Sequence, residues 1–345
     1  MWTIIFVILI GIPVLFVLTG VFLSAPRYHG PVSDHFDGKV FLNSGGFKAK
    51  GLKDVLMWMA SRKRGKWHYQ NDTFGPRPLA FIKEGIRITF VNHTTFLIQV
   101  DGLNILTDPI WSKRTSPFQW AGPKRMRKPG IRFEDLPRIH FVLLSHNHYD
   151  HLDLKTLRML QGAHHPKIVT PLGVKTFLDR EQIAGAMDLD WWDEQPLNEK
   201  AKVQAVPAQH FSGRGNLDRD ATLWCGYVIQ TTAGTIYFAG DTGYNENTFK
   251  EIGERSGKIT VSIIPIGAYK PRWFMSSIHA DPEEAVKIHL DVKSAVSIAS
   301  HFGTFPLADD AQSDPLEDLT DSLAKYHLGE NDFLVLKEGQ SQDFA

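Results

Sequence analysis

A single cysteine, Cys225, is all the thiol this chain of 345 residues contains. No intrachain disulfide can form, which fits a reducing compartment, and zinc ligation is left to histidine and carboxylate. Net charge is missing as well, since 38 Lys and Arg balance 38 Asp and Glu. A dedicated nucleic-acid binder carries a basic excess, so no nucleic-acid partner is expected. Internal repeats and low-complexity tracts are absent. Disorder is not the default reading either, because 43% of residues are apolar and 22% charged, an ordinary globular balance. What the chain does hold in excess is histidine, 15 in all, several of them clustered.

Charge is also absent from residues 2–23. A helix over that stretch would rise about 33 Å, against a hydrocarbon core of about 30 Å. A cleaved signal peptide usually has a shorter apolar region preceded by Lys or Arg, and neither holds here. Residues 1–25 are therefore expected to form an uncleaved single-pass membrane anchor. Basic residues follow it, among them Arg27, Lys39, Lys48, Lys50 and Lys53. The positive-inside tendency then places the body of the protein in the cytoplasm. Residues 26–80 read as a basic linker with a short amphipathic helix near 53–60, and residues 81–345 as one large domain. In that domain, strand-like runs at 86–91, 95–100, 103–107, 140–145, 167–170, 203–207, 223–230, 235–239 and 260–264 alternate at intervals with helical runs. Such an order suggests an α/β architecture of two sheets covered outside by helices.

The chemistry concentrates at Ser145-His146-Asn147-His148-Tyr149-Asp150-His151, directly after the apolar run 140–145. His146 and His148 are two apart, so both rings can point one way while the backbone is extended. Asp150 and His151 fall on the following turn and can face a second metal nearby. One HxH arises by chance or as two core histidines; four donors within six residues after a buried strand demand a metal.

This motif resembles the metallo-β-lactamase superfamily, and that family's order of ligands implies three further donors, each after an apolar run: His210 after Val206-Pro207, Asp241 in Gly240-Asp241-Thr242-Gly243, and His301 after Ala299-Ser300. Within it, Thr107-Asp108-Pro109, the Asn147-His148-Tyr149-Asp150 form of the motif, Pro271-Arg272-Trp273-Phe274-Met275 and His279-Ala280-Asp281-Pro282-Glu283-Glu284 look like N-acylphosphatidylethanolamine-hydrolysing phospholipase D. The resemblance covers roughly residues 86–337 and implies an αββα sandwich. It further implies two zinc ions, one held by His146, His148 and His210, the other by Asp150, His151 and His301, with Asp241 bridging. Iron or manganese suits the same donors. His279 matches a catalytic histidine that is not a ligand, and helix capping or packing is its plain alternative. The implied substrate is a membrane phospholipid, cleaved to phosphatidic acid and an N-acylethanolamine. Tyr149 and Trp273 are candidate substrate contacts.

Other assignments stay open at this level. Asp108 is a candidate carboxylate partner for a ligating histidine, or a turn residue before Pro109. His93 is either near the site or simply buried. Trp111, Phe118, Trp120, Trp273, Phe274 and Met275 form either a lipid groove or membrane-facing rim, or core. Arg114, Lys124, Arg125, Arg127 and Lys128 form a basic run that suits anionic headgroups, or a solvated loop. The rival functions are a small-molecule lactone, ester or phosphodiester hydrolase and a non-catalytic membrane-tethered metal-binding protein. A two-fold homodimer is the base expectation for assembly.

Overall fold

The computed structural model describes residues 11–344. An apolar helix, α1 (Ile12–Leu23), is followed by an irregular strap that contains α2 (Leu52–Ser61). Among the described residues, two seven-stranded sheets make up the body. The first contains β1 (Ile86–Asn92), β2 (Thr95–Val100), β3 (Leu103–Thr107), β4 (Phe141–Leu143), β5 (Lys167–Pro171) and β6 (Ala186–Leu189). The second contains β7 (Glu194–Pro196), β8 (Lys202–Val206), β9 (Gly226–Thr231), β10 (Gly234–Phe238), β11 (Ile259–Pro265), β12 (Ser294–Ser300) and β13 (Phe333–Leu334). The C-terminal β14 (Ser341–Phe344) returns to pair with β1 and completes the first sheet. Both sheets are mixed. β1–β2–β3 are antiparallel and β3–β4–β5–β6 parallel; β7–β8–β9–β10 are antiparallel and β10–β11–β12–β13 parallel.

Side-chain alternation explains why these runs are apolar throughout. Phe96, Ile98, Val100, Phe141, Leu143 and Val169 point into the core shared with the second sheet, where they meet Val203, Tyr227, Ile229 and Phe238. Leu97, Val142 and Ile168 point outward and pack under α3 (Leu154–His164) and α4 (Val174–Arg180), through Leu157, Leu160 and Phe177. A strand buried on both faces shows no polar alternation. On the other side, α5 (Glu246–Ser256), α7 (Pro282–Asp291) and α8 (Asp314–Lys325) bring Phe249, Ile252, Val286, Ile288 and Leu319 to the core. Between α5 and α7 lies the single turn α6 (Arg272–Met275). The expected αββα sandwich is the observed one.

The expected N-terminal membrane span is not. Among the described residues, no helix is long and apolar enough to cross a membrane. Residues 2–10 of the expected span lie outside the described residues. Among the described residues, α1 has 12 residues, a rise of about 18 Å. It ends by turning onto the body: the Ala25 amide donates to Asp218 Oδ2 at 2.7 Å, and Arg180 Nη1 donates to the Ser24 carbonyl at 2.7 Å. The cytoplasmic placement, which rested on that span, goes with it. The strap that follows is packed as well, with Phe36 and Phe41 buried in the main core.

Candidate metal centre

Four strand ends meet at one edge between the sheets. The loop after β4 carries His146, His148, Asp150 and His151; the loops after β8, β10 and β12 carry His210, Asp241 and His301. Residues up to 155 positions apart in sequence are thus brought within one cluster, because parallel strands of both sheets point their C-terminal ends the same way. Gly240 permits the closest approach. Its φ is +62°, and a Cβ there would sit 2.6 Å from Ser145 Cβ.

The donor atoms form two adjoining groups. In the first, His146 Nε2 lies 2.8 Å from His148 Nδ1, which lies 3.3 Å from His210 Nε2. In the second, Asp150 Oδ2 lies 3.3 Å from His151 Nε2 and 3.4 Å from His301 Nε2. Asp241 Oδ2 stands between the groups, 3.1 Å from both His151 Nε2 and His301 Nε2 and 3.8 Å from His210 Nε2. Tetrahedral ligands about 2.0–2.1 Å from a zinc ion are themselves about 3.3 Å apart, so this spacing fits metal ligation. Of these atoms, His151 Nε2 and His301 Nε2 are buried and have no hydrogen-bond partner, and neither has the other carboxylate oxygen of Asp241, Oδ1. Buried polar atoms are almost always partnered, and a cation among them supplies what they lack.

Partners behind the donors fix which nitrogen points inward. Asp108 Oδ2 lies 2.7 Å from His151 Nδ1, and the Ser145 amide and hydroxyl donate to the same carboxylate at 2.7 and 2.6 Å. The Ile278 carbonyl lies 2.8 Å from His210 Nδ1. Both leave Nε2 for a metal. Asp108 is therefore the carboxylate partner and not only a turn residue. His93 is at the site, not merely in the core, with Nε2 3.1 Å from Asp150 Oδ2. Asp108 (φ 34°), His93 (φ 51°) and His301 (φ 58°) all hold left-handed backbone, a strain that clusters at functional sites.

Electrostatics divide the groups. Burial pushes His148 down to about 3 and His210 to about 4, keeping both imidazoles neutral as ligation requires. Burial also resists charge on His151, but Asp241, Asp150 and Asp108 outweigh it and raise its pKa well above the usual value. His301 is raised to about 9 against the same burial, by Asp241 and Asp150. The carboxylates thus attract positive charge strongly at this point.

His279 faces the cluster. Its Nδ1 is 3.9 Å from Asp241 Oδ2 and its ring 5.1 Å from that of His210. Capping of α7 falls to Asp281, whose side chain accepts from the Glu284 amide, so His279 has no such role. A cavity of about 270 Å³ opens over His148, Asp150, Asp241 and His279. Phe274 and Met275 line it; Trp273 does not, standing half-exposed beside Phe274. Tyr149 is also elsewhere, its hydroxyl donating to the Arg214 carbonyl at 3.0 Å and its ring under the Arg214 guanidinium at 3.9 Å.

Two contributors come from the strap, which carries no motif. Asn43 clamps His210 by both backbone groups: Oδ1 accepts from the His210 amide at 2.9 Å, and Nδ2 donates to its carbonyl at 2.8 Å. Trp58 of α2 walls the cavity and stacks on Phe274 at 4.8 Å. Asn43 lies 167 positions from its partner, and no local pattern signals such a bond. Trp58 sits in a run of apolar residues that signals an amphipathic helix, but not the face it covers.

Comparison with known proteins agrees with this geometry. Residues 103–302 match the β-lactamase superfamily domain. A Caenorhabditis elegans protein named N-acyl-phosphatidylethanolamine-hydrolyzing phospholipase D 1 is 36% identical over 75% of this chain and 76% of its own length. The mitochondrial protein of that name from Saccharomyces cerevisiae is 35% identical over 66% of this chain, and the match spans 49% of the yeast protein. Among solved structures, the metallo hydrolase Igni18 from Ignicoccus hospitalis shares the fold, with a TM-score of 0.58 and 21% identity over 75% of this chain and 98% of its own.

Proposed function

The chain belongs to the metallo-β-lactamase superfamily, and on that premise we propose that it is a zinc-dependent phosphodiesterase of membrane glycerophospholipids, cleaving N-acylphosphatidylethanolamine in the manner of a phospholipase D. The observation that carries this reading is the composition of the cavity over the donor cluster. Its walls are Trp58, Phe211, Phe274, Met275, Ile278 and Leu307, while Lys50 and Arg219 supply positive charge. An apolar wall beside cations and a metal site suits an amphiphile with a phosphodiester, where a small polar substrate would leave the aromatic wall unused. The names of the worm and yeast relatives support the same choice.

Two zinc ions in the donor groups would supply Lewis-acid activation of water and of a phosphoryl oxygen. His146, His148 and His210 would hold one ion, Asp150, His151 and His301 the other, with Asp241 between them. His279 is placed to hydrogen-bond the phosphate or to pass a proton to the departing oxygen. Lys50 and Arg219 would orient the anionic diester as it enters.

Mass spectrometry of products from a glycerophospholipid panel tests this, with N-acylated phosphatidylethanolamine included. Phosphatidic acid plus the free amide alcohol is expected, and neither from His146→Ala. His279→Ala should slow turnover by about 10²-fold or more with metal content unchanged. Intact lipids from protein verified to hold two metals would replace this reading with a small-molecule hydrolase of the same fold.

A further inference from the structure

A second cavity, of about 300 Å³, shares no lining residue with the one over the metal centre. Arg114, Lys155, Arg158, Arg180 and Arg214 line it against only two carboxylates, Asp153 and Glu181. Asp153 is already engaged, accepting from the Ser112 amide and hydroxyl, the Lys155 amide and the Thr156 hydroxyl. Glu181 pairs with Arg158 at 2.9 Å and Arg180 at 3.3 Å. Arg114 and Arg214 are held by neutral carbonyls, those of Gly122, and of Asn147 and Leu152. A carbonyl satisfies the hydrogen bond without cancelling the charge. Asp218, the other acid near Arg214, accepts from the backbone amides of Ala25, Arg214 and Gly215. Burial lowers the Arg214 pKa from its usual value, so the guanidinium is a desolvated cation that an anion would stabilise.

Apolar side chains stand at two sides of the cavity's mouth, beside polar ones. Phe22 and Leu23, at the end of α1, form one side, and Phe22 is 73% exposed. Ser116, Pro117 and Gln119 form another, and their loop presents Phe118 stacked on Trp120 at 5.4 Å, with Trp120 79% exposed. Positive charge inside and exposed aromatics outside match one ligand chemistry: an anionic head on an apolar tail.

We propose that this cavity binds the headgroup phosphate of an anionic glycerophospholipid, held as a ligand separate from the substrate, with its chains over Phe22 and Trp120. Arg-rich cavities recognise phosphate oxygens by charge-assisted hydrogen bonds. Such a ligand would bear on the metal loop, because the Arg214 guanidinium also grips the carbonyls of Asn147 and Leu152 on either side of Asp150 and His151. The site requires no membrane span and stands whether or not the metal centre cleaves lipid.

The test is cosedimentation of the full-length, metal-loaded protein with vesicles of phosphatidylcholine alone or mixed with phosphatidylglycerol. Binding is expected on the mixed vesicles and about 30-fold weaker for Arg114→Gln/Lys155→Gln, two charges removed near an anionic surface. A matched pair, Lys200→Gln/Lys250→Gln, removes the same charge outside the cavity and should bind as the parent does; equal loss in both pairs would reduce the effect to diffuse attraction and overturn the site. Trp120→Ser should weaken binding with the cavity charge intact. Inorganic phosphate, titrated by calorimetry, distinguishes the source: tight phosphate binding without vesicle binding overturns the lipid assignment. Metal content and Tm of each variant establish that it is folded, and hydrolysis is scored separately.

Discussion

At the scale of single residues, the donors are held by side chains that stand behind them. Asp108 is fully buried, and burial raises its pKa against the pull of His151 and Ser145. It nevertheless accepts from Ser145 twice and sits 2.7 Å from His151 Nδ1, so the carboxylate is stabilised by its partners. Asp108→Asn keeps the shape and removes the charge. Metal affinity should fall by about 10–100-fold, the usual effect of losing a partner behind a ligand. Competition against a fluorescent chelator reads that affinity, and an unchanged value would mean that Asp108 only shapes the turn. Asn43 acts on the backbone of a donor instead. Asn43→Ala removes both halves of its clamp on His210 and leaves a buried amide and carbonyl short of partners, at a cost of about 1–3 kcal/mol for each unsatisfied group. Chemical denaturation measures that loss, and metal content is expected to drop at the His210 group first.

At the scale of elements, the strap before β1 behaves as part of the domain. His35 lies between Asp34 at 2.5 Å and Asp190 at 2.7 Å and stacks on Trp191 at 4.4 Å. Asp34 is nearly fully exposed, so Asp190 is the stronger anchor. Burial resists the charge, but the hydrogen bonds and ion pairs to both carboxylates raise the His35 pKa above its ordinary 6.5. A histidine raised on folding contributes its full stability below its unfolded value, and that contribution is lost as pH climbs through the folded value. Stability relative to His35→Gln should therefore be greatest near pH 6 and fall by about 1 kcal/mol toward pH 9. Urea denaturation across that range decides it; a difference that grows with pH would show His35 to be neutral in its pair.

The same scale shows what sequence can convey. β1, β2 and β3 were legible to within a residue because each is a buried apolar run closed by a turn. β6, β7 and β14 were not, since each is short and half-exposed at or near a sheet edge, with no apolar run to mark it. The donors of the metal cluster were legible because their chemistry is crowded into six residues or set after strands. Asn43 and Trp58 were not, because their roles arise only when a strap 150 residues or more away is laid across the site. In its described part, the apolar N-terminal run was legible as helix but misleading as a span. Hydropathy reports that the run is apolar without reporting that no described helix is long and apolar enough to cross a membrane, or that the chain after Leu23 is bonded to Asp218 and Arg180.

For the whole molecule, the donor cluster is a seam between halves. His146, His148, Asp150 and His151 follow a strand of the first sheet, while His210, Asp241 and His301 follow strands of the second. Elsewhere the sheets meet through apolar side chains, but at this edge they meet through buried imidazoles and carboxylates. Bringing those groups together without a cation leaves polar atoms unpartnered, an opposing term that grows with each one. A metal that binds only the folded chain adds stability by mass action, about 4 kcal/mol at a concentration a thousand times its Kd. Chelation should therefore lower Tm by several degrees and readdition of zinc should restore it, with His146→Ala showing a smaller shift because one group is already incomplete. Differential scanning calorimetry gives the comparison. If the metal-loaded protein melts at the same temperature with and without chelator, the seam is held by packing alone, and the cluster serves chemistry without contributing to the union of the two sheets.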